Sequence, residues 1–285
     1  MSIRSKIVFT VLLLIAPWCR AACTHDEQCV SPQSWQFGVA LGLGFGSNPL
    51  KDGDTIPLFI LPDIAWYGEA AYFDNGELGY QWTEHAHSAF VTFLEVDQER
   101  AYFSFWHPVN ILNPINKNSN LTALDGGLST GPEKLSIDHI ATRDWAILAG
   151  TRWHYYTQDA QWQISVWQDV TGTHNGQKMS VYYQHSWNWQ TLRLVAELDV
   201  VWKSSKLLNY YYGIRPLDKV DPFFYYQAKG GWQPALTLSI QKPLNDKWLW
   251  LTKLSVQKLN KGMTQSPLVE DSSIYRFFSG FAYQF

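Results

Sequence analysis

After residue 17 the 285-residue chain has no run of about 18 apolar residues, so nothing there can cross a bilayer as a helix. Charge is scarce as well: 16% of residues are Asp, Glu, Lys or Arg, and the formal net charge is -3. Without a basic excess there is no field to attract a phosphate backbone, which argues against a nucleic-acid partner. Cysteine is limited to three residues, and no Cys or His grouping has the spacing of a complete metal site or a cofactor motif. What is abundant is aromatic surface, with 15 each of Trp, Tyr and Phe. Trp and Tyr favour the membrane-water boundary, where an apolar ring meets a polar tip. The mean hydropathy is nevertheless only -0.21. A membrane protein without apolar helices must be a closed sheet, because every backbone N-H and C=O in hydrocarbon needs a partner inside the protein.

The first 21 residues have the layout of an export signal. Arg4 and Lys6 form a basic start, Ile7 to Ala16 an apolar stretch, and Cys19-Arg20-Ala21 a small-x-small cleavage site. The expected organisation is a signal peptide over 1–21, a periplasmic leader over 22–33 and a barrel over 34–285. Acylation of Cys23 is disfavoured because Arg20-Ala21-Ala22 lacks the usual apolar residue three positions upstream. Cys23 and Cys29 could close a small disulfide loop in an oxidising periplasm, or remain thiols in a leader.

Period-two alternation dominates the rest. Trp35, Phe37, Val39, Leu41, Leu43 and Phe45 alternate with Gln36, Gly38, Ala40, Gly42, Gly44 and Gly46. One face is large and apolar and the other small or polar, as when lipid lies outside and a narrow lumen inside. Ile56, Leu58, Ile60, Pro62, Ile64 and Trp66 form one face of a second strand. Glu69 to Trp82 is predicted to be one strand kinked at Asp74-Asn75-Gly76, with Tyr72, Leu78, Tyr80 and Trp82 toward lipid. A hairpin at Asn75-Gly76 is the rival, but it gives strands of about six residues where a spanning strand needs about 9 to 11. Further strands are expected over 87–96, 99–107 (or from Gln98), 145–156, 161–170, 178–187, 190–202, 234–244, 248–259 and 274–285. On the strand over 190–202, Arg193, Glu197 and Asp199 oppose an unbroken apolar row.

The sum is a transmembrane antiparallel up-and-down β-barrel of about 12 strands, with 10 to 14 possible. Short periplasmic turns alternating with longer outer loops place 108–144, 203–233 and 260–273 outside. Tyr67-Gly68, Asp97, 157–160, 187–189 and 245–247 then fall in the periplasm. Two segments test the count: 99–107 could lie within a loop, and 208–214 could be an extra strand. At the chain end Tyr275, Phe277, Ser279, Phe281, Tyr283 and Phe285 alternate with the other face and close on Phe. In a soluble protein this would be an exposed aromatic edge. Here Phe281, Tyr283 and Phe285 are expected to be the sorting signal read by the barrel-assembly machinery in the outer membrane of a Gram-negative bacterium, with outer-membrane lipid around the barrel.

Several segments, in their order along the chain, resemble the MipA/OmpV family. They are Gly38 to Gly46, Gly76-Glu77-Leu78-Gly79-Tyr80, and Asp169-Val170-Thr171-Gly172 followed by His174 and Gly176. Tyr211-Tyr212-Gly213-Ile214, Ser266-Pro267-Leu268-Val269 and Phe281 to Phe285 complete the set. The aromatic segment 99–123 departs from the family pattern. The resemblance implies a scaffolding role at the outer membrane. Its partners would be a lytic murein transglycosylase and a murein synthase; other members are linked to adhesion or to passage of small molecules.

No residue pattern points to catalysis. Outer-membrane hydrolases place His and Ser two apart on a strand so that both share one face for proton transfer. Here His87-Ser88 and His185-Ser186 are adjacent instead, and Asp138-His139 has no visible nucleophile. His85 and His87 beside Glu84 are too few for a metal site and read as a solvated turn. Arg152, Arg193, Glu197, Asp199, Lys253 and Arg276 are the candidate lumen residues, able to set selectivity in a pore or to pair and plug a small barrel. The aromatic run Tyr210, Tyr211, Tyr212, Phe223, Phe224, Tyr225 and Tyr226 reads as an interfacial girdle with loop packing, or else as a partner surface. The expectation is a non-catalytic interaction barrel; the alternative is a small-solute pore.

Overall fold

The computed structural model describes residues 33–104 and 134–285. The expected leader, with Cys23 and Cys29, lies outside them, and so do residues 105–133. Twelve antiparallel strands close into one ring. They are β1 (Ser34–Gly46), β2 (Ile56–Tyr67), β3 (Ala71–Asp74), β4 (Glu77–His85), β5 (Ser88–Val96) and β6 (Ile147–Tyr156). β7 (Ala160–Asp169), β8 (Gln177–Trp189), β9 (Leu192–Lys203), β10 (Gly231–Pro243), β11 (Trp248–Lys258) and β12 (Ser273–Gln284) follow. Each strand pairs with its neighbour in sequence, and β1 closes on β12 from Gly38↔Gln284 to Gly46↔Arg276. Closure leaves few of the free edges that a sheet in hydrocarbon would have to satisfy in some other way.

The alternation read from β1 holds in space. Leu43 is 69% exposed on the outer face. On the inner face a Cβ on Gly42 or Gly44 would collide with β12. β10 alternates throughout, with Trp232, Leu236, Leu238 and Ile240 outside and Gln233, Ala235, Thr237 and Ser239 buried inside.

The strand total matches the expectation, but two of its members are different. Glu69 to Trp82 is not one kinked strand. Asn75 and Gly76 both have positive φ, 46° and 97°, and turn the chain between β3 and β4. The spanning-length rule misleads here because β3, only four residues long, does not span: it pairs with β2 over Ala65 to Tyr67 alone. Tyr72 therefore faces inward, opposite Gly79, rather than lipid. The strand expected over 99–107 is also absent among the described residues. Gln98–Phe103 is a 3₁₀ turn capped by Asp97, whose side chain accepts from the Glu99 amide. The added hairpin and the lost strand cancel, which preserves the even count. The segment 208–214 is not a strand: its first five residues end the helix α1 (Ser205–Tyr212), and Ile214 makes only an isolated bridge to Tyr226.

These changes flip one local assignment. Asp97 sits at the end that carries the long loops, and the turn between β4 and β5 lies at the opposite end. A register shift between Leu41 and Gly44 on β1 also changes β2. Ile60, Pro62, Ile64 and Trp66 face out as expected, but Ile56 and Leu58 turn inward and pack with Ala40 and Phe278.

Candidate functional site in the lumen and outer cap

Inward alternation brings polar groups from β3 to β12 around a cavity of about 340 Å³. Six carboxylates line it, Asp74, Glu77, Glu95, Glu99, Glu197 and Asp199, against four cations, Arg152, Lys178, Lys203 and Arg276. Charges in so enclosed a place persist only if paired and hydrogen-bonded. Arg152 forks onto Glu77 at 2.9 and 2.8 Å, while the Tyr72 hydroxyl donates to Glu77 at 2.7 Å. Lys178 lies 3.5 Å from Glu95 and 3.6 Å from Asp97. Lys253 reaches Glu197 at 3.1 Å, and the Arg276 guanidinium donates to Ser255 Oγ at 3.2 Å.

Large side chains take up much of the remaining interior. Phe93 lies under the Arg152 guanidinium, 4.2 Å from its carbon to the ring centroid, and meets Trp167 edge-on. Gly150 leaves the space that this Phe93 ring occupies.

The long-loop end is stoppered by a small domain-like cap. Ser204 caps α1 through its Oγ, which accepts from the Leu207 amide. Leu207, Leu208, Tyr211 and Tyr212 on this helix pack with Leu50, Tyr102, Leu135, Leu259, Met263, Leu268 and Ile274. Burying a Leu-sized side chain contributes about 1.5–3 kcal/mol, so this cluster gives the cap a stability of its own. Arg143, also fully buried, ties two loops together. It donates to Asp218 at 2.6 Å and to the carbonyls of Ala141, Tyr211 and Gly213. Burial would raise the Asp218 carboxyl, but the bond from Arg143 and backbone N-H donors outweigh it and hold the acid below its ordinary range.

Cap and lumen meet in one buried network. Glu99 accepts from the Tyr212 hydroxyl at 2.6 Å and lies in close contact with the Lys203 ammonium. Asp97 accepts from His174 Nε2 at 3.1 Å. The Gly176 amide donates to His174 Nδ1 at 2.8 Å, which makes Nδ1 the acceptor and leaves the proton on Nε2.

Of the lumen residues expected from sequence, Arg152, Glu197, Asp199 and Arg276 line the cavity, and Lys253 pairs beside it. Arg193 shares the inward parity of Glu197 and lies near the β8–β9 turn, away from this cavity. Sequence reasoning missed Glu77, Glu95, Asp97, Glu99, Lys178 and Lys203. Lys178 and Lys203 were findable, since each continues the inward parity of its strand. Glu99 was hidden by the strand assigned to it.

The other singled-out residues stay apart. His185 points outward between Tyr183 and Trp187, while Ser186 Oγ donates to the Asp159 carbonyl. His85 and His87 flank the β4–β5 turn, far from the cap. Asp138 and His139 are exposed in a 3₁₀ turn. Tyr211 and Tyr212 are cap core, whereas Phe223 is 81% exposed at the outer surface. Phe281 and Phe285 are exposed on the outside of the closing strand.

A family model described as MltA-interacting protein MipA matches residues 39–285. YiaT of Escherichia coli K12 is 23% identical over 251 residues, covering 88% of this chain and 91% of that protein. MltA-interacting protein of Escherichia coli K12 is 21% identical over 252 residues, 88% and 90% of the two chains. Outer membrane protein Omp26La of Vibrio anguillarum is 27% identical over 117 residues, 41% and 46%. Among solved structures, a loop-deletion mutant of OmpT, an outer membrane protein of Vibrio cholerae, aligns at TM-score 0.38 and 6% identity. It covers 88% of this chain and 99% of that one.

Proposed function

The chain belongs to the family of MltA-interacting protein MipA, an outer-membrane barrel family, and on that premise we propose that it acts as a non-catalytic interaction protein rather than a solute channel. The observation that carries the reading is the cap. A barrel stoppered at its loop end by a packed apolar core, with four of its six cavity carboxylates matched by a cation, is built to present surfaces. For the partner we infer a lytic murein transglycosylase, with a murein synthase alongside, since one relative is named for interacting with MltA. Such periplasmic partners would meet the short-turn end of the barrel, once residues 1–21 have been removed on export.

Refolded protein immobilised through a C-terminal tag is expected to retain a lytic transglycosylase from solubilised envelopes, identified by mass spectrometry. In planar bilayers the same preparation is expected to be silent. Steady, ion-selective openings together with no retained murein enzyme would replace this reading with the pore.

A further inference from the structure

Among the described residues the ring is fully paired at the short-turn end only. β2 meets β3 over Ala65, Trp66 and Tyr67, and the β3–β4 hairpin ends at Asn75-Gly76. Beyond that tip, residues 56–63 of β2 have a strand partner on the β1 side alone among the described residues. Facing them, the β4 ladder on β5 ends at Leu78↔Leu94, and beyond it Val96 pairs with Ile147 of β6. The described wall is thus notched between β2 and β5, with the hairpin tip as its sill. A Cβ on Gly76 would meet nothing within 4 Å, as expected for a tip in open space.

The notch lies at hydrocarbon depth. Next to it on β1 the outward residues are Leu41, Leu43 and Phe45, and across it Leu94 and Ile147 also face out exposed. Phe59 and Ile60 of β2 are 56% and 62% exposed.

The sequence treats this side of β2 as an edge. Ile64 turns its backbone away from β1: its N-H donates to Asn75 Oδ1 and its C=O accepts from the Asn75 amide, both at 3.0 Å. By the two-residue repeat, positions 62 and 60 point the same way. Position 62 is proline, which has no N-H to leave unpaired, as befits an edge strand. Groups that remain unpaired cannot face lipid tails without a cost of several kcal/mol each, so the notch must hold water or a polar ligand.

Its inner margin is acidic. Asn75 Nδ2 donates to Asp63 at 2.7 Å and to Asp74 at 2.9 Å, and the Tyr67 hydroxyl donates to Asp74 at 3.1 Å. Among the described residues neither carboxylate has a cationic partner, whereas Glu77 just behind is matched by Arg152. Asp63 is exposed although it lies on the inward face, and Asp74, Asn75 and Glu77 line the lumen cavity. Two uncompensated acids at membrane depth mark a ligand path more often than a structural feature.

We propose that this notch is a side portal between the lumen cavity and the bilayer, and that it takes an amphiphile with a positively charged head, such as a long-chain alkylammonium. The tail would stay among Phe59, Ile60 and the surrounding lipid while the ammonium meets Asp63 and Asp74. This does not depend on the murein partner inferred above.

The test uses full-length protein in phospholipid vesicles, spin-labelled at Leu61→Cys in a Cys19→Ser, Cys23→Ser, Cys29→Ser background. Leu61 faces inward, so an intact wall would shield it from lipid-dissolved oxygen as strongly as it shields a label at Thr237→Cys. The portal gives it a collision rate near that of an outward label at Ile60→Cys. Dodecylammonium should lower that rate at least threefold, dodecanoate at the same concentration should not, and Asp63→Asn with Asp74→Asn should abolish the difference. Shielding at Leu61 equal to that at Thr237, or equal effects of the two amphiphiles, would overturn the proposal. In case the label disturbs folding, hydrogen exchange on the unmodified protein gives a second reading. The Ile60 amide should exchange at least a hundredfold faster than that of Leu238 in a fully paired strand, and equal protection would overturn the portal.

Discussion

The Phe278 ring lies against Gly42 across the β1–β12 seam, so close that a Cβ on Gly42 would come within 2.8 Å of the ring and 2.3 Å of the Ser279 carbonyl oxygen. This contact closes the barrel from inside, since Phe278 is fully buried with Ala40, Ile56 and Leu58. Gly42→Ala is expected to force the seam apart and destabilise the barrel by about 1–3 kcal/mol, as overpacking does. Phe278→Ala should cost about 3–5 kcal/mol through the cavity it leaves. Urea unfolding from vesicles, followed by Trp fluorescence, measures both. A Gly42→Ala barrel as stable as the parent would mean that the seam relaxes without strain.

Much of this architecture could be read before the structure. Long strands buried on one face and lipid-facing on the other, such as β1, β9 and β12, betray themselves by strict alternation over a dozen residues. The failure at Glu69 to Trp82 has a simple cause, a rule about spanning length applied where the strand does not span. Asn75-Gly76 carried an unmistakable turn signal, and the four-residue β3 it creates violates the length rule because the hairpin turns back part-way up the wall. The cap was illegible for a different reason. Its core draws on Leu50, Tyr102, Leu207 and Leu268, residues from separate loops whose meeting follows from the closure of the barrel and from no local period. The lumen pairs fall between these cases: parity tells which charges face inward but not which acid meets which base.

The hairpin at Asn75 gives the second prediction. The Asn75 side chain joins three neighbours, accepting from the Ile64 amide and donating to Asp63 and Asp74. At about 1 kcal/mol net per hydrogen bond, Asn75→Ala should cost about 2–3 kcal/mol. Asn75→Asp should be no better, because it keeps the acceptor but sets a third carboxylate beside two others. Gly76→Ala, at φ 97°, should cost a further roughly 1–2 kcal/mol of backbone strain. Equilibrium unfolding of the three variants decides the matter, and an Asn75→Asp barrel more stable than the parent would refute the acidic margin.

Lys203 and Glu99 join cap to lumen, and both are almost wholly buried. Removing one partner leaves the other charge stranded, at a cost of about 3–5 kcal/mol, whereas removing both need not destabilise. Lys203→Met is therefore expected to loosen the cap, seen as faster protease cleavage within 204–230 in vesicles. Lys203→Met with Glu99→Gln should recover much of the resistance. If the double variant is cleaved as fast as Lys203→Met alone, the pair is not what fastens the cap.

Acid should release the same cap through Asp97. Burial pushes this carboxyl up, but the Lys178 charge and the hydrogen bond from His174 outweigh it and hold the group at about 2, below its ordinary 3.8. A carboxyl depressed in the folded state gives stabilisation that is complete above the unfolded value and is lost as pH falls through the folded one. The window is therefore from about pH 4 down to about pH 2, and the shift corresponds to on the order of 2 kcal/mol. Asp218, held low by Arg143, should add to the loss in the same direction. Pepsin, active across this window, should cut the cap increasingly as pH falls from 4 to 2 while the strands stay protected. Asp97→Asn should be cut more readily at pH 4 and show a flatter slope below it. An unchanged slope in that variant would place the acid sensitivity of the cap elsewhere, with Asp218 the next group to replace.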